Sequence, residues 1–157
     1  TWEDAVQACE MGLSGVVLSN HGGRQLDFAR SGVEVLEEVM RELRKRGSFP
    51  NPAFQVMVDG GFRRGTDILK ALAMGATAVG IGRPFLYAYS AYGVDGVIHA
   101  INLLRDELEM NMRLIGARSI EELVPSMVDL SALHNHTGAV FPKQDQSVLD
   151  FMDKSRL

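Results

Sequence analysis

A histidine and an arginine lie three positions apart in the stretch SNHGGRQLD, residues 19–27. The stretch directly follows the apolar run GVVL at residues 15–18, so its polar side chains lie where a buried strand would reach solvent. An imidazole such as that of His21 can accept a proton as a general base. The guanidinium of Arg24 can bind a carboxylate through two parallel hydrogen bonds, and the two glycines between them leave room for a flat ring or a small substrate. The pattern predicts a base and a carboxylate anchor at one strand end.

Two more glycine-containing stretches follow the next two apolar runs. DGGFRRGTD at residues 59–67 comes after QVMV, and GRPF at residues 82–85 comes after AVGI. Paired glycines let backbone N–H groups approach a ligand, the next helix offers its positive end, and an arginine adds charge-assisted hydrogen bonds. A lone Asp-Gly-Gly is commonly a tight turn and a lone Gly-Arg-Pro a helix start. Two such loops on consecutive strands, each with an arginine, favour a phosphate site instead.

Helical patterns alternate with short apolar runs along the first half of the chain. Helices are predicted from the N-cap Thr1 to about residue 12, from Ser31 to about residue 46, and from about residue 66 to residue 74. The apolar runs at residues 15–18, 55–58 and 78–81 predict strands, and the first of them is predicted to be buried on both faces. This alternation is typical of α/β proteins with a parallel sheet, whose ligands gather at the carboxyl ends of the strands.

The second half of the chain is predicted to be mostly helical. Apolar residues recur at helical spacing from Val94 to about Ile115, where Gly116 ends the helix. A capping box at Ser119 and Glu122 predicts a short helix after it. Beyond Leu133 the pattern becomes polar, and residues 134–157 are predicted to form a C-terminal tail.

Composition restricts the class of partner. The net charge of −4 and pI near 5.5 argue against nucleic acid or an anionic membrane as the main partner, and no apolar run is long enough for a membrane span. The single cysteine, Cys9, excludes an internal disulfide and is predicted to be a small core residue. His99, His134 and His136 lack a supporting set of metal ligands, so no metal site is predicted.

Together, SNHGGRQLD, the DGGxRRGTD form of the second loop, and GIGRPFLYA resemble the FMN-dependent α-hydroxyacid oxidases and dehydrogenases. This family includes glycolate oxidases and flavocytochrome-type L-lactate dehydrogenases, and the resemblance extends to about Leu133. The family fold is a flavin-binding (β/α)₈ TIM barrel. The resemblance implies that residues 1–133 are its C-terminal part, with strands six to eight.

The resemblance also assigns roles to individual residues. His21 becomes the active-site base, Arg24 grips the substrate carboxylate, and Ser19 touches the flavin. The residues implied to bind the ribityl chain and phosphate of FMN are Asp59, Gly60, Gly61, Phe62, Arg63, Gly82 and Arg83. Phe62 stands where the family commonly has a smaller aliphatic residue, which we expect to alter packing behind the loop more than binding. The implied reaction oxidises a lactate-like L-2-hydroxy acid to the 2-oxo acid, with electrons passing either as a hydride or after a carbanion forms.

The resemblance also implies parts that precede the matching region. The family needs a lysine near the flavin, an aspartate that orients the histidine, and tyrosines near the substrate, all expected before the position of Thr1. The start at a non-Met residue with the pattern of a helix cap suggests an internal point of a longer polypeptide. We therefore expect another chain or a cleaved fragment to supply strands one to five, and the family implies a homo-oligomer, a tetramer.

Several alternatives stay open at this level. The alternatives are a glycolate-type (S)-2-hydroxy-acid oxidase that uses O₂, an IMP dehydrogenase-like phosphate-binding barrel, and a non-catalytic half-barrel. HGGR argues against the IMP dehydrogenase group, which relies on a cysteine loop. The ending Ser155-Arg156-Leu157 resembles a peroxisomal signal but is equally a chance tripeptide, so mitochondria and peroxisomes are both candidate compartments.

Overall fold

The computed structural model describes residues 1–133. Within them, helices alternate with strands in the order α1 (Trp2–Glu10), β1 (Gly15–Leu18), α2 (Gly32–Lys45), β2 (Gln55–Asp59), α3 (Gly65–Met74), β3 (Ala78–Gly80) and α4 (Arg83–Ile115). Short 3-10 turns cover His21–Gly23, Ile120–Glu122 and Pro125–Met127. The predicted α/β alternation is confirmed. The predicted tail, with His134, His136 and the ending Ser155-Arg156-Leu157, lies outside the described residues.

The three strands form one parallel sheet in the order β1-β2-β3. Val16 pairs with Val56, Leu18 with Val58, and Asp59 with Gly80. Because all three strands run the same way in this register, their carboxyl ends lie side by side. The loops that follow them therefore emerge at one edge of the sheet, as the sequence predicts for a ligand site.

Helix capping follows local signals in the sequence. Thr1 and Asp4 form a capping box at the start of α1, and Ser31 and Glu34 form another at the start of α2. The apolar stripe of α2 fills the core with Leu36, Val39, Met40 and Leu43. Cys9 is half-buried and packs against this core, which confirms its predicted role as a core residue.

Strand β1 is less buried than the sequence predicts. Val17 of β1 is 58% exposed and Ala78 of β3 is exposed, whereas Val56 and Val58 of the central strand are buried. The prediction that β1 is buried on both faces is therefore wrong within residues 1–133. Strands β1 and β3 are the edges of the described sheet, and burial of a second face needs elements that pack on it.

The helix after β3 begins earlier than the sequence predicts. α4 starts at Arg83 and is interrupted at Tyr92 and Gly93, where Gly93 has a φ of 60° and a ψ of −144° that only glycine adopts readily. The segment before this break carries Leu86 and Tyr87, which are exposed, so it lacks the buried stripe that marks a helix in sequence.

The turn that follows α4 differs from the prediction, and the length and hydropathy of the helices bear on a membrane span. Ser119 makes no side-chain capping bond, and the Glu122 carboxylate instead accepts from the Arg118 backbone N–H at 2.9 Å, so the predicted capping box is wrong. Over residues 1–133 no helix is both long and apolar enough to cross a membrane.

Candidate active site

One open cleft at the carboxyl edge of the sheet is lined by residues from the loops after all three strands, and its volume is about 550 Å³. The structure brings nine of the ten predicted site residues together here: His21, Arg24, Asp59, Gly60, Gly61, Phe62, Arg63, Gly82 and Arg83. Ser19, the tenth, does not line this cleft. The base, the carboxylate anchor and the two phosphate loops predicted from sequence thus share one surface.

The loop after β1 has an unusual backbone. His21, Gly22 and Gly23 have φ angles of 56°, 64° and 72°, a left-handed run that is costly for a residue with a side chain. Two neighbouring side chains hold this run in place. The Ser19 Oγ accepts from the His21 N–H at 3.1 Å, and Asn20 Oδ1 accepts from the Gly23 N–H at 3.1 Å. Ser19 therefore shapes the loop that carries His21.

Sequence reasoning missed two side chains around His21. Asn20, besides holding Gly23, donates through Nδ2 to the Arg30 carbonyl at 3.2 Å, which fixes both ends of the loop. Gln25 Nε2 lies 3.1 Å from His21 Nδ1 and so orients the ring. Asn20 had a usable signal, because asparagine in a glycine-containing turn commonly bonds nearby backbone groups. Gln25 had no usable signal, because the left-handed backbone at residues 21–23 breaks the regular spacing of side-chain neighbours in a helix.

Arg83 connects the loop after β3 with the loop after β1. Its Nη2 donates to the Gly22 carbonyl at 2.9 Å, and a Cβ added to Gly22 would lie 2.9 Å from the same nitrogen. The space beside Gly22 therefore accommodates Arg83, whereas a Cβ on Gly23 would meet nothing within 4 Å. Gly22 lines the cleft whereas Gly23 does not, and the expected room for a ring or a small substrate stays a prediction.

The loop after β2 turns through two glycines with left-handed φ angles, Gly60 at 86° and Gly61 at 87°. Its Phe62 side chain is 3% exposed and belongs to the hydrophobic core, so the aromatic ring packs behind the loop as the sequence analysis expects. Arg63 lines the cleft, and Gly60 approaches Asn20 so closely that an added Cβ would lie 3.1 Å from Asn20 Oδ1. The first and second loops are therefore in contact.

The two helix N-termini near the cleft differ in whether a side chain accepts hydrogen bonds from their first backbone N–H groups. Asp67 Oδ2 accepts from the backbone N–H groups of Arg63 and Arg64 at 3.0 Å each, so internal carboxylate bonds already occupy the start of α3. The start of α4 has Gly82 as its N-cap, which supplies no side-chain cap, and Gly82 and Arg83 both line the cleft. An anion in the cleft thus meets the positive end of α4 rather than that of α3.

The residues that line the cleft fit the phosphate and ribityl chain of FMN, and a buried carboxylate oxygen without a partner supports this fit independently of the sequence motifs. Asp59 Oδ1 is buried and has no hydrogen-bond partner among residues 1–133. A buried carboxylate oxygen without a partner is costly, and a ligand hydroxyl in the cleft would satisfy it. Arg63 and Arg83 supply the two cations that a phosphate monoester needs beside the N-terminus of α4.

A model of the FMN-dependent dehydrogenase family matches residues 1–130. The chain belongs to this family. It is 60% identical over 133 residues to an L-lactate dehydrogenase (cytochrome) of Wickerhamomyces anomalus, covering 85% of this chain and 23% of that protein. It is 48% identical over 128 residues to a peroxisomal (S)-2-hydroxyacid oxidase of Arabidopsis thaliana, covering 82% of this chain and 33% of that protein.

Solved structures of family members share the fold. A flavocytochrome b2 variant with sulfite bound superposes with a TM-score of 0.81 at 57% identity, covering 91% of this chain and 36% of that chain. A mandelate oxidase variant with a monooxide FMN adduct superposes with a TM-score of 0.71 at 42% identity, covering 80% of this chain and 38% of that chain. The chain spans about a quarter to a third of the length of these curated relatives.

Proposed function

We propose that this protein oxidises a lactate-like L-2-hydroxy acid to the 2-oxo acid with FMN as cofactor. The observation that carries the proposal is the shared cleft, whose lining includes His21 and Arg24 together with Arg63 and Arg83. Relatives in both the cytochrome-linked L-lactate dehydrogenase and the (S)-2-hydroxyacid oxidase groups support it. The family match argues against the IMP dehydrogenase-like alternative.

Substrate binding and proton removal are assigned to the loop after β1. Arg24 binds the substrate carboxylate through its guanidinium fork, which fixes the hydroxyl-bearing carbon relative to His21. Gln25 Nε2 lies 3.1 Å from His21 Nδ1, and this contact orients the ring that takes the substrate proton. The left-handed backbone at His21 holds the ring at the cleft.

Cofactor binding is assigned to the other two loops. Arg63, Arg83 and the backbone of Gly60, Gly61, Phe62 and Gly82 hold the FMN phosphate, and Asp59 accepts a hydrogen bond from a ribityl hydroxyl. The Ser19 Oγ accepts from the His21 N–H, so the Ser19 O–H remains able to donate a hydrogen bond to the flavin. When bound, FMN supplies the two-electron acceptor. The protein supplies orientation and charge.

We further propose that residues 1–133 form strands six to eight of a closed (β/α)₈ barrel, followed by a tail at 134–157. Strands β1 and β3 each pair on one side within residues 1–133, and Val17 is exposed. Unpaired parallel edges and exposed apolar side chains favour further strands that close the sheet. These strands also bring the remaining catalytic groups, and by family resemblance the enzyme is a homotetramer.

The barrel proposal predicts the behaviour of the isolated 157-residue polypeptide. We expect it to associate with its complementary barrel segments, or with itself, because its strand edges are unpaired and the Val17 side chain is exposed within residues 1–133. Native mass spectrometry or light scattering, alone and with the complementary segments added, measures this. A folded 17.2 kDa monomer that does not bind the added segments would contradict the proposal.

The flavin proposal is tested by the visible spectrum of the intact protein. We expect flavin absorption that is lost when L-lactate is added anaerobically. The absorption should return faster with cytochrome c than with oxygen, because identity to the cytochrome-linked group is 60% against 48% for the oxidase. Hydrogen peroxide as the main product would instead indicate the oxidase and a peroxisomal rather than a mitochondrial compartment. A colourless protein would indicate a non-catalytic half-barrel.

A further inference from the structure

Glu107, on the second half of α4, contacts the loop after β2 from outside the cleft. Its Oε2 accepts from the Gly65 backbone N–H at 2.8 Å and from Arg64 Nε at 3.1 Å, and its Oε1 lies 2.6 Å from Arg64 Nη2. One carboxylate thus binds both the guanidinium of Arg64 and the first residue of α3.

The close approach of the two helices makes this contact possible. A Cβ added to Gly65 would lie 2.5 Å from the Leu108 backbone nitrogen and 2.6 Å from Glu107 Cβ. Gly65 therefore lets the backbone of α4 contact the start of α3 directly. At this distance the short reach of a glutamate is sufficient to hold the loop.

The two adjacent arginines of this loop face different surroundings. Arg63 lines the cleft, whereas Arg64 does not line it and pairs with Glu107. Asp67 accepts from the backbone N–H groups of both arginines, so backbone bonds alone do not distinguish the two side chains. Glu107 is the charged partner that distinguishes them.

We propose that Glu107 is a positioning residue for the cofactor phosphate: by holding Arg64 and Gly65 on the outer side, it leaves Arg63 directed into the cleft. The inference rests on the proposed FMN function. Glu107 itself touches neither the cleft nor the reacting atoms. Its effect passes through the conformation of residues 60–65, which a bound phosphate needs preorganised.

The charge of Glu107 persists over a wide pH range. Hydrogen bonds from Arg64 and from the Gly65 backbone hold the pKa of this carboxyl below its ordinary value of 4.5. A lowered pKa means that the contact contributes fully above the ordinary value and is lost only as the pH falls through the lowered one. The loop is therefore held at neutral pH.

The test compares FMN with riboflavin, which lacks the phosphate, in the intact protein after flavin removal. Glu107→Gln keeps the side-chain length and an acceptor for Gly65 but removes the charge that holds Arg64. We expect the dissociation constant for FMN, measured by quenching of flavin fluorescence, to rise about two- to fivefold, the effect of one exposed ion pair. Riboflavin affinity should not change.

Glu109→Gln is the matched control, because Glu109 lies on the same helix and pairs with Arg105 and Arg113 instead of the loop. It should leave both affinities unchanged. An equal loss for FMN and riboflavin, an unchanged FMN affinity or a tighter one would each overturn the role of Glu107 alone. Absence of flavin binding by the unsubstituted protein would overturn the proposed function and this inference together.

Discussion

Replacing His21 by asparagine is expected to lower turnover of an L-2-hydroxy acid by roughly 10²–10⁴-fold, the usual contribution of a general base. Asparagine removes the titratable ring, yet it is among the residues that tolerate a left-handed backbone, which His21 adopts with a φ of 56°. The loop should therefore keep its shape, and FMN should stay bound. Steady-state turnover and the flavin spectrum of the same preparation measure the two effects.

His99→Asn is the control for this experiment. His99 is exposed on α4 and does not line the cleft, so its loss should leave turnover unchanged. Normal turnover in His21→Asn would exclude the proposed base. Loss of FMN together with turnover would show that the loop, rather than the ring, had been disturbed.

Replacing Arg24 by glutamine is expected to lower kcat/KM by roughly 10²-fold or more, because a bidentate charge-assisted contact to the substrate carboxylate is lost. FMN affinity should be unchanged, since the proposed phosphate cup consists of Arg63 and Arg83. Steady-state kinetics with L-lactate measure the loss. Lactamide, which has no carboxylate, provides an internal comparison: its already low kcat/KM should not fall further in the variant.

Arg105→Gln serves as the arginine control. Arg105 is exposed on α4, pairs with Asp106, and lies outside the cleft. Both variants lose one positive charge, so a general change in net charge would affect them alike. An Arg24→Gln enzyme with unchanged kcat/KM for L-lactate would require another anchor for the carboxylate.

Local signals in the sequence predicted most of the element order. Thr1 and Ser31 begin helices through capping boxes that need only residues three positions apart. The short apolar runs mark the strands, because a continuous run of about four apolar residues, such as GVVL, is typical of a buried strand and is too short for a helix. The side-by-side strand ends, and hence the shared cleft, follow from parallel α/β topology.

The contacts that sequence reasoning missed join distant parts of the chain. Arg83 binds the Gly22 carbonyl across 61 positions and Glu107 binds Gly65 across 42, and neither pair has a local pattern to mark it. The first segment of α4 was missed because its apolar residues are exposed and show no buried stripe. The exposure of Val17 was missed because a continuous apolar run predicts burial without identifying what provides the cover.

The bond from Arg83 to the Gly22 carbonyl couples the loop after β3, proposed to bind the cofactor phosphate, to the loop that carries His21. Under the proposed function, a substitution at Arg83 that changes binding of the cofactor phosphate would also disturb the loop that carries His21, so we expect cofactor affinity and proton abstraction to change together. Directed evolution towards new hydroxy acids, if the proposed function holds, would do better to conserve this arginine and diversify Leu86 and Tyr87, which line the same cleft.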